Sequence, residues 1–190
     1  MRCRARMRRT LNGHLSFWKG SAMNRPDPFE SYRAELSRSV MDSLSGIPIF
    51  AALSDEELSE VAGFMNMVDV MQGDVVFLEG ERGDYVCFVA EGLLEVSKKA
   101  GDSDRRAVIT TLSPGHSIGE MALIDEAPRS ATVVALADTR MVALTRQAFE
   151  GLIKKDPMIG IKLMKGISRL LSSNLRKTSS QLAETMLPVC

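Results

Sequence analysis

Between Val68 and Leu144 the apolar residues come in short runs, and glycine breaks them at Gly73, Gly80, Gly83 and Gly92. Runs this short cannot propagate a long helix; they suit strands joined by tight turns. The spacing predicts strands near Val68–Val70, Val75–Leu78, Tyr85–Ala90, Leu93–Lys98, Ala107–Leu112, His116–Ile118, Ala131–Leu136 and Arg140–Leu144. Lys98–Arg106 reads as a charged hairpin tip, and Ser113-Pro-Gly115 as the turn into His116–Ile118. The expected class is mainly β with flanking helices: an eight-stranded antiparallel β-roll or jelly roll over residues 67–145. The glycines read as bulges and corners of that roll rather than as ligand contacts.

The flanks have helical period. Phe29, Tyr32, Leu36, Val40 and Leu44 recur at three- and four-residue spacing from Pro28 to Leu44, and Gly46 and Pro48 stop the pattern. Ser54 and Glu57 form a Ser-x-x-Glu capping box ahead of a short helix using Leu58, Val61 and Met65. Residues 26–66 are therefore expected as N-terminal helices. After the strands, Thr145 is placed to cap a helix over Gln147–Lys154, and Asp156-Pro157 opens a long one, roughly Met158 to Met186, within a C-terminal helical region 146–190. That helix carries two stripes: Leu163, Ile167, Leu170 and Asn174 on one side, and Met164, Leu171, Leu175, Thr178 and Leu182 on another at heptad-like spacing. One stripe is expected to cover the barrel mouth and the other to meet a second copy in a parallel homodimer.

The chemistry concentrates in Gly119–Thr132, GEMALIDEAPRSAT. A glycine before a short helical turn lets backbone approach a ligand, and the turn's free N–H groups suit an anion. Arg129 can fork onto two phosphate oxygens. Glu120 is an acceptor-only carboxylate, fitted to a sugar hydroxyl and unfitted to a phosphate. An acid for a ribose, with amides and an arginine for a phosphate, make a nucleotide site.

The run GEMAL…APRSATVVA resembles the phosphate-binding cassette of the cyclic nucleotide-binding domain family, which includes Crp/Fnr regulators and kinase regulatory subunits. The Gly-Asp…Gly-x-x-Gly-Asp…Gly rhythm and the Ile-Pro-Ile-Phe-x-x-Leu-Ser-x-x-Glu-Leu lead-in are similar to that family too, so the resemblance spans about Ile47 to Asn174. It implies Glu120 and the Gly119 amide on the ribose 2′-hydroxyl, Arg129 on the cyclic phosphate, and the Ala122 and Ser130 amides beside it. Met121 and Ala131 complete the cassette wall, and Asn174 falls where the family reads the purine edge. The implied ligand is cyclic AMP ahead of cyclic GMP, with no other cofactor and no metal. The implied function is a receptor that moves its C-terminal helix on binding and so regulates a partner protein. A pocket that no longer binds, on an interaction and dimerisation protein of the same fold, is the alternative.

Composition narrows the classes. Residues 1–25 hold seven basic side chains and no acid; with 24 of each sign in the whole chain, the rest carries 17 basic against 24 acidic, net −7. An acidic body is not a nucleic-acid surface, and only Leu187–Cys190 follow the long helix, so direct DNA binding is not expected. The basic stretch 1–25 is expected as disordered, and reads as a translation start placed before Met7 or Met23; an RNA- or lipid-binding arm and a transit-like peptide stay open. Cys3, Cys87 and Cys190 have no metal or redox spacing, Cys87 reads as a core thiol, and a cytoplasmic, non-membrane protein is expected. His14 and His116 lack partners for acid–base work, so an enzyme is not expected.

Overall fold

A computed structural model of the chain describes residues 38–100 and 105–186. The expectations for residues 1–25, for the Pro28 half of the first helix, for Asp102 and Asp104 at the hairpin tip, and for Leu187–Cys190 lie outside those residues. Among the described residues eight strands form: β1 Asn66–Val70, β2 Val75–Phe77, β3 Tyr85–Glu91, β4 Leu94–Lys99, β5 Arg106–Leu112, β6 Ser117–Ile118, β7 Thr132–Ala135 and β8 Thr139–Thr145. They make two four-stranded antiparallel sheets in the orders β1-β8-β3-β6 and β2-β7-β4-β5, a jelly roll.

Side chains alternate across a strand, and β3 and β8 use both faces. Cys87, Val89, Met141 and Ala143 point between the sheets, where they meet Val68, Phe77, Leu94 and Val133. Val86, Phe88, Val142 and Leu144 point outward and are covered by helices. This double burial explains why Tyr85–Ala90 is an almost unbroken apolar run. By contrast, β5 lies at a sheet edge and is exposed over all but Leu112.

The helical cover comprises α1 (residues 38–44), α2 (Asp55–Ala62), α3 (Arg146–Lys155) and α4 (Pro157–Met186), with a 3₁₀ turn at Pro48–Phe50. The capping box forms as read: Ser54 Oγ accepts from the Glu57 N–H at 3.3 Å, and Glu57 Oε2 accepts from the Ser54 N–H at 2.8 Å. Thr145 Oγ1 accepts from the Ala148 N–H at 3.1 Å, and Asp156 Oδ1 takes the N–H groups of Met158 and Ile159 at 2.9 and 3.2 Å. Each cap satisfies helix-end donors that have no partner inside their own helix.

Helix α4 does not cover the barrel mouth as the stripes suggest. Ile159, Leu163 and Ile167 pack into the helical cluster with Ile49 and Phe50. Gly166 allows the close approach: a Cβ there would lie 2.3 Å from the Ile49 carbonyl oxygen. Beyond Leu171 the helix stands exposed, with Leu175 at 69%, Leu182 at 54% and Met186 at 73%. Among the described residues no helix is long and apolar enough to cross a membrane.

Candidate functional site: the cavity on the 119–132 cassette

A small cavity of ≈ 90 Å³ opens on the cassette. Gly119, Glu120, Met121, Ala122, Arg129, Ser130 and Ala131 all line it, together with Phe77, Ile118, Ala127, Pro128 and Val133. Seven of the eight residues read from sequence thus share one wall. The eighth, Asn174, is exposed on α4 and is not part of the lining, and neither is any other residue of that helix.

The wall is built by a left-handed glycine and a 3₁₀ turn. Gly119 has φ 85° and leads into Glu120–Leu123. A side chain there would be strained by the backbone and would also meet Arg129 Nη1 at 2.3 Å. The Ala122 N–H is already engaged inside the turn, donating to the Gly119 carbonyl at 3.1 Å.

Arg129 is fixed from all sides. Its backbone pairs with the glycine loop, the N–H donating to the Glu81 carbonyl and the carbonyl accepting from the Gly80 N–H, both at 2.8 Å. The guanidinium stacks 3.6 Å from the Phe77 ring centroid and 4.8 Å from that of Tyr85. Nη2 donates to the Tyr85 carbonyl at 2.7 Å and Nη1 to the Gly119 carbonyl at 3.4 Å. Gly83 leaves the space, since a Cβ there would sit 2.4 Å from Arg129 Nε. Gly83, expected as a structural corner, also makes room for the guanidinium. Phe77 and Tyr85 carry no sequence signal beyond their places in β2 and at the start of β3. The loop around Gly80 and Gly83 lies opposite the cassette, bridged by Arg82 and Pro128.

Electrostatically the wall is poised. Glu120 is 8% exposed and Arg129 7%. Burial raises the Glu120 carboxyl above the usual carboxylate range, partly offset by a backbone hydrogen bond and by Arg129. Its Oε2 is buried without a hydrogen-bond partner. Burial also lowers the Arg129 guanidinium, opposed by neighbouring Tyr85, Cys87 and Asp84, but a guanidinium stays charged across the physiological range. Cys87 is buried and free, and burial pushes its thiol up to about 12, which makes it an inert core group. Among the described residues no three His, Cys, Asp or Glu side chains gather as for a metal.

Comparison with known proteins agrees with this geometry. The family model for the cyclic nucleotide-binding domain matches residues 67–156. The chain is 31% identical over 139 residues to the cyclic AMP receptor protein of Thermus thermophilus, covering 73% of this chain and 62% of that one. It is 34% identical over 112 residues to the cAMP-dependent protein kinase regulatory subunit of Debaryomyces hansenii, covering 59% of this chain and 24% of the relative. The match thus spans less than two thirds of either relative's length. A cyclic nucleotide-binding domain from Methylobacillus flagellatus has the same fold, with a TM-score of 0.72 at 26% identity, covering 80% of this chain and 85% of that one. By the matched residues 67–156, the relatives and the fold, the chain carries a domain of the cyclic nucleotide-binding family.

Proposed function

We propose that the protein is a cytoplasmic cyclic-nucleotide receptor, binding cyclic AMP ahead of cyclic GMP without catalysing a reaction, and that it regulates a partner protein. One observation carries the reading: Glu120 and Arg129 are both buried in one cavity wall, and Glu120 Oε2 has no partner from the protein. A buried acceptor left open costs about 1–3 kcal/mol, a cost that a ribose 2′-hydroxyl would remove. Arg129 supplies the charge for the cyclic phosphate, with Gly119 and Ser130 lending backbone amides and Met121, Ala122 and Ala131 shape; the Ala122 amide expected beside the phosphate is held within the turn. The relatives, a cyclic AMP receptor protein and a cAMP-dependent protein kinase regulatory subunit, support a regulatory reading.

In this reading the purine lies toward the cavity mouth, and α4 moves to bring Asn174 to the base. The ligand can favour that position only by the difference in its affinity for the two arrangements. The exposed Leu175 and Leu182, seven residues apart, support a parallel homodimer through the outer half of α4.

Titration calorimetry of the nucleotide-freed full chain with cyclic AMP and with cyclic GMP, beside Arg129→Ala, tests the proposal. Micromolar or tighter binding to cyclic AMP is expected, weakened about a hundredfold or more in Arg129→Ala through lost charge-assisted bonds. No heat with either nucleotide from folded protein would sink the receptor and leave an interaction protein with a vestigial pocket. Sedimentation equilibrium on the same samples reads the mass, and a monomer would remove the homodimer.

A further inference from the structure

We infer that Arg146 is a positioning residue for the cassette, the brace through which the start of α3 sets the Glu120–Leu123 turn. Its consequence for ligand binding rests on the receptor reading above; the brace itself does not. Arg146 is the first residue of α3, directly after β8. Three parts of the molecule meet on it. Its backbone N–H donates to the Asp84 carbonyl at 2.7 Å, next to the Gly83 that admits Arg129. Nη2 donates to the Ala122 carbonyl inside the cassette turn. Nη1 lies 2.6 Å from Glu126 Oε1.

The fork therefore grips the cassette at two points, 122 and 126. Among the described residues Glu126 is the one non-glycine with positive φ, at 55°. A left-handed non-glycine backbone persists where its surroundings over-determine it, and the ion pair to Arg146 is such a constraint. Holding the Ala122 carbonyl fixes the plane of its peptide group and hence the setting of the turn that carries Glu120. The Arg146 side chain is 17% exposed, and its Nε is buried without a hydrogen-bond partner. A buried donor left open marks a side chain held for its other contacts rather than for its own solvation. Arg129 faces the cavity on aromatic rings and carbonyls; Arg146 grips the same segment through an acceptor in the turn and a carboxylate beyond it. Because α3 packs on both the cassette turn and α4, Arg146 also joins the turn to the helix pair.

The test compares the full chain with Arg146→Met, Arg146→Lys and Glu126→Gln. Hydrogen exchange of the ligand-free proteins is read over residues 119–127, and cyclic AMP is titrated. Arg146→Met is expected to speed exchange in 119–127 while leaving β3 and β8 as they are, and to weaken cyclic AMP by about tenfold, the loss of a charge-assisted contact. Arg146→Lys keeps a charge for Glu126 but cannot reach both acceptors as a planar fork, so it is expected to recover neither the slow exchange nor the affinity in full. Glu126→Gln, losing an exposed partner, is expected to cost about threefold. Exchange over 119–127 within twofold of wild type in both Arg146 variants would overturn the brace, and faster exchange with unchanged affinity would overturn its positioning role. If Arg146→Met does not fold, unchanged exchange in both Arg146→Lys and Glu126→Gln overturns the brace. If wild type itself binds no nucleotide, the receptor reading fails, and exchange alone still decides the brace.

Discussion

Where α3 and α4 meet the N-terminal helices, the charges are matched: Lys162 of α4 places Nζ 2.6 Å from Glu57 Oε2, and Lys155 at the end of α3 places Nζ 3.0 Å from Glu60 Oε1. In the cavity wall the charges are more deeply buried and unmatched. Among the described residues neither Glu120 nor Arg129 forms an ion pair; Arg129 rests on two carbonyls and two aromatic rings, and one oxygen of Glu120 has nothing. Buried charge without a counter-charge is costly, and pairing relieves it. The helical interface thus carries its own counter-charges, whereas the charges of the cavity wall have none from the described residues and suit a ligand.

The largest effect expected from this contrast is on the helical side. Gly166→Ala places a methyl against the Ile49 backbone, which cannot swing away as a flexible side chain would. A loss of about 1–3 kcal/mol is expected from overpacking, seen as a fall of several degrees in the melting temperature. An unchanged melting temperature would mean that the α4 contact is looser than its geometry.

Glu120→Gln is expected to act in the opposite direction. Burial raises this carboxyl, so the folded chain holds the proton more tightly than the unfolded chain does. Stability therefore falls as pH rises from the ordinary carboxylate value to the raised one, and the penalty is complete above it. The amide removes that penalty, so the variant is expected to be more stable by about 1 kcal/mol at neutral pH, with the gain vanishing in acid, while cyclic AMP binding weakens. A lower melting temperature at neutral pH would show that Glu120 is structurally satisfied and would erase the contrast.

The smallest effect belongs to Glu57→Gln. The Lys162 hydrogen bond, then the Ser54 N–H, hold the Glu57 carboxyl below its ordinary value. Its contribution is present above the ordinary carboxylate value and is lost as pH falls through the lowered one. A deficit of about 1–2 °C at neutral pH, shrinking in acid, is expected of a partly exposed pair. Thermal melts across the acid range check it; a deficit that grew in acid would contradict the pairing.

What could be read from the chain alone was what neighbours in sequence determine. The capping box at Ser54, the cap at Thr145 and the strand pattern between glycines are local, and they form with boundaries shifted by a residue or two. Leu78, Leu93 and Leu136, expected as strand ends, fall just outside the observed strands. The cassette was legible because its residues are contiguous. Phe77 and Tyr85, which hold Arg129 from 52 and 44 positions away in sequence, were not, because stacking across a roll leaves no spacing to find. Arg146 was hidden for the same reason: its partners at 84, 122 and 126 become neighbours only once β8 has been laid beside β3. The apolar stripe of α4 was visible, but which surface it would meet depended on Gly166 fitting Ile49, a matter of shape.

That fit also sets a mechanical ratio. From Gly166 to Met186 the helix continues for 20 residues, about 30 Å at 1.5 Å per residue, and beyond Leu171 it is largely exposed. With the Gly166–Ile49 contact as a fulcrum, a tilt of about 10° would carry the tip through about 5 Å, while side chains one turn from the pivot would shift by about 1 Å. The molecule is geared as a lever: an adjustment small enough for a packed core to absorb emerges at the far end as a displacement on the scale of a side chain.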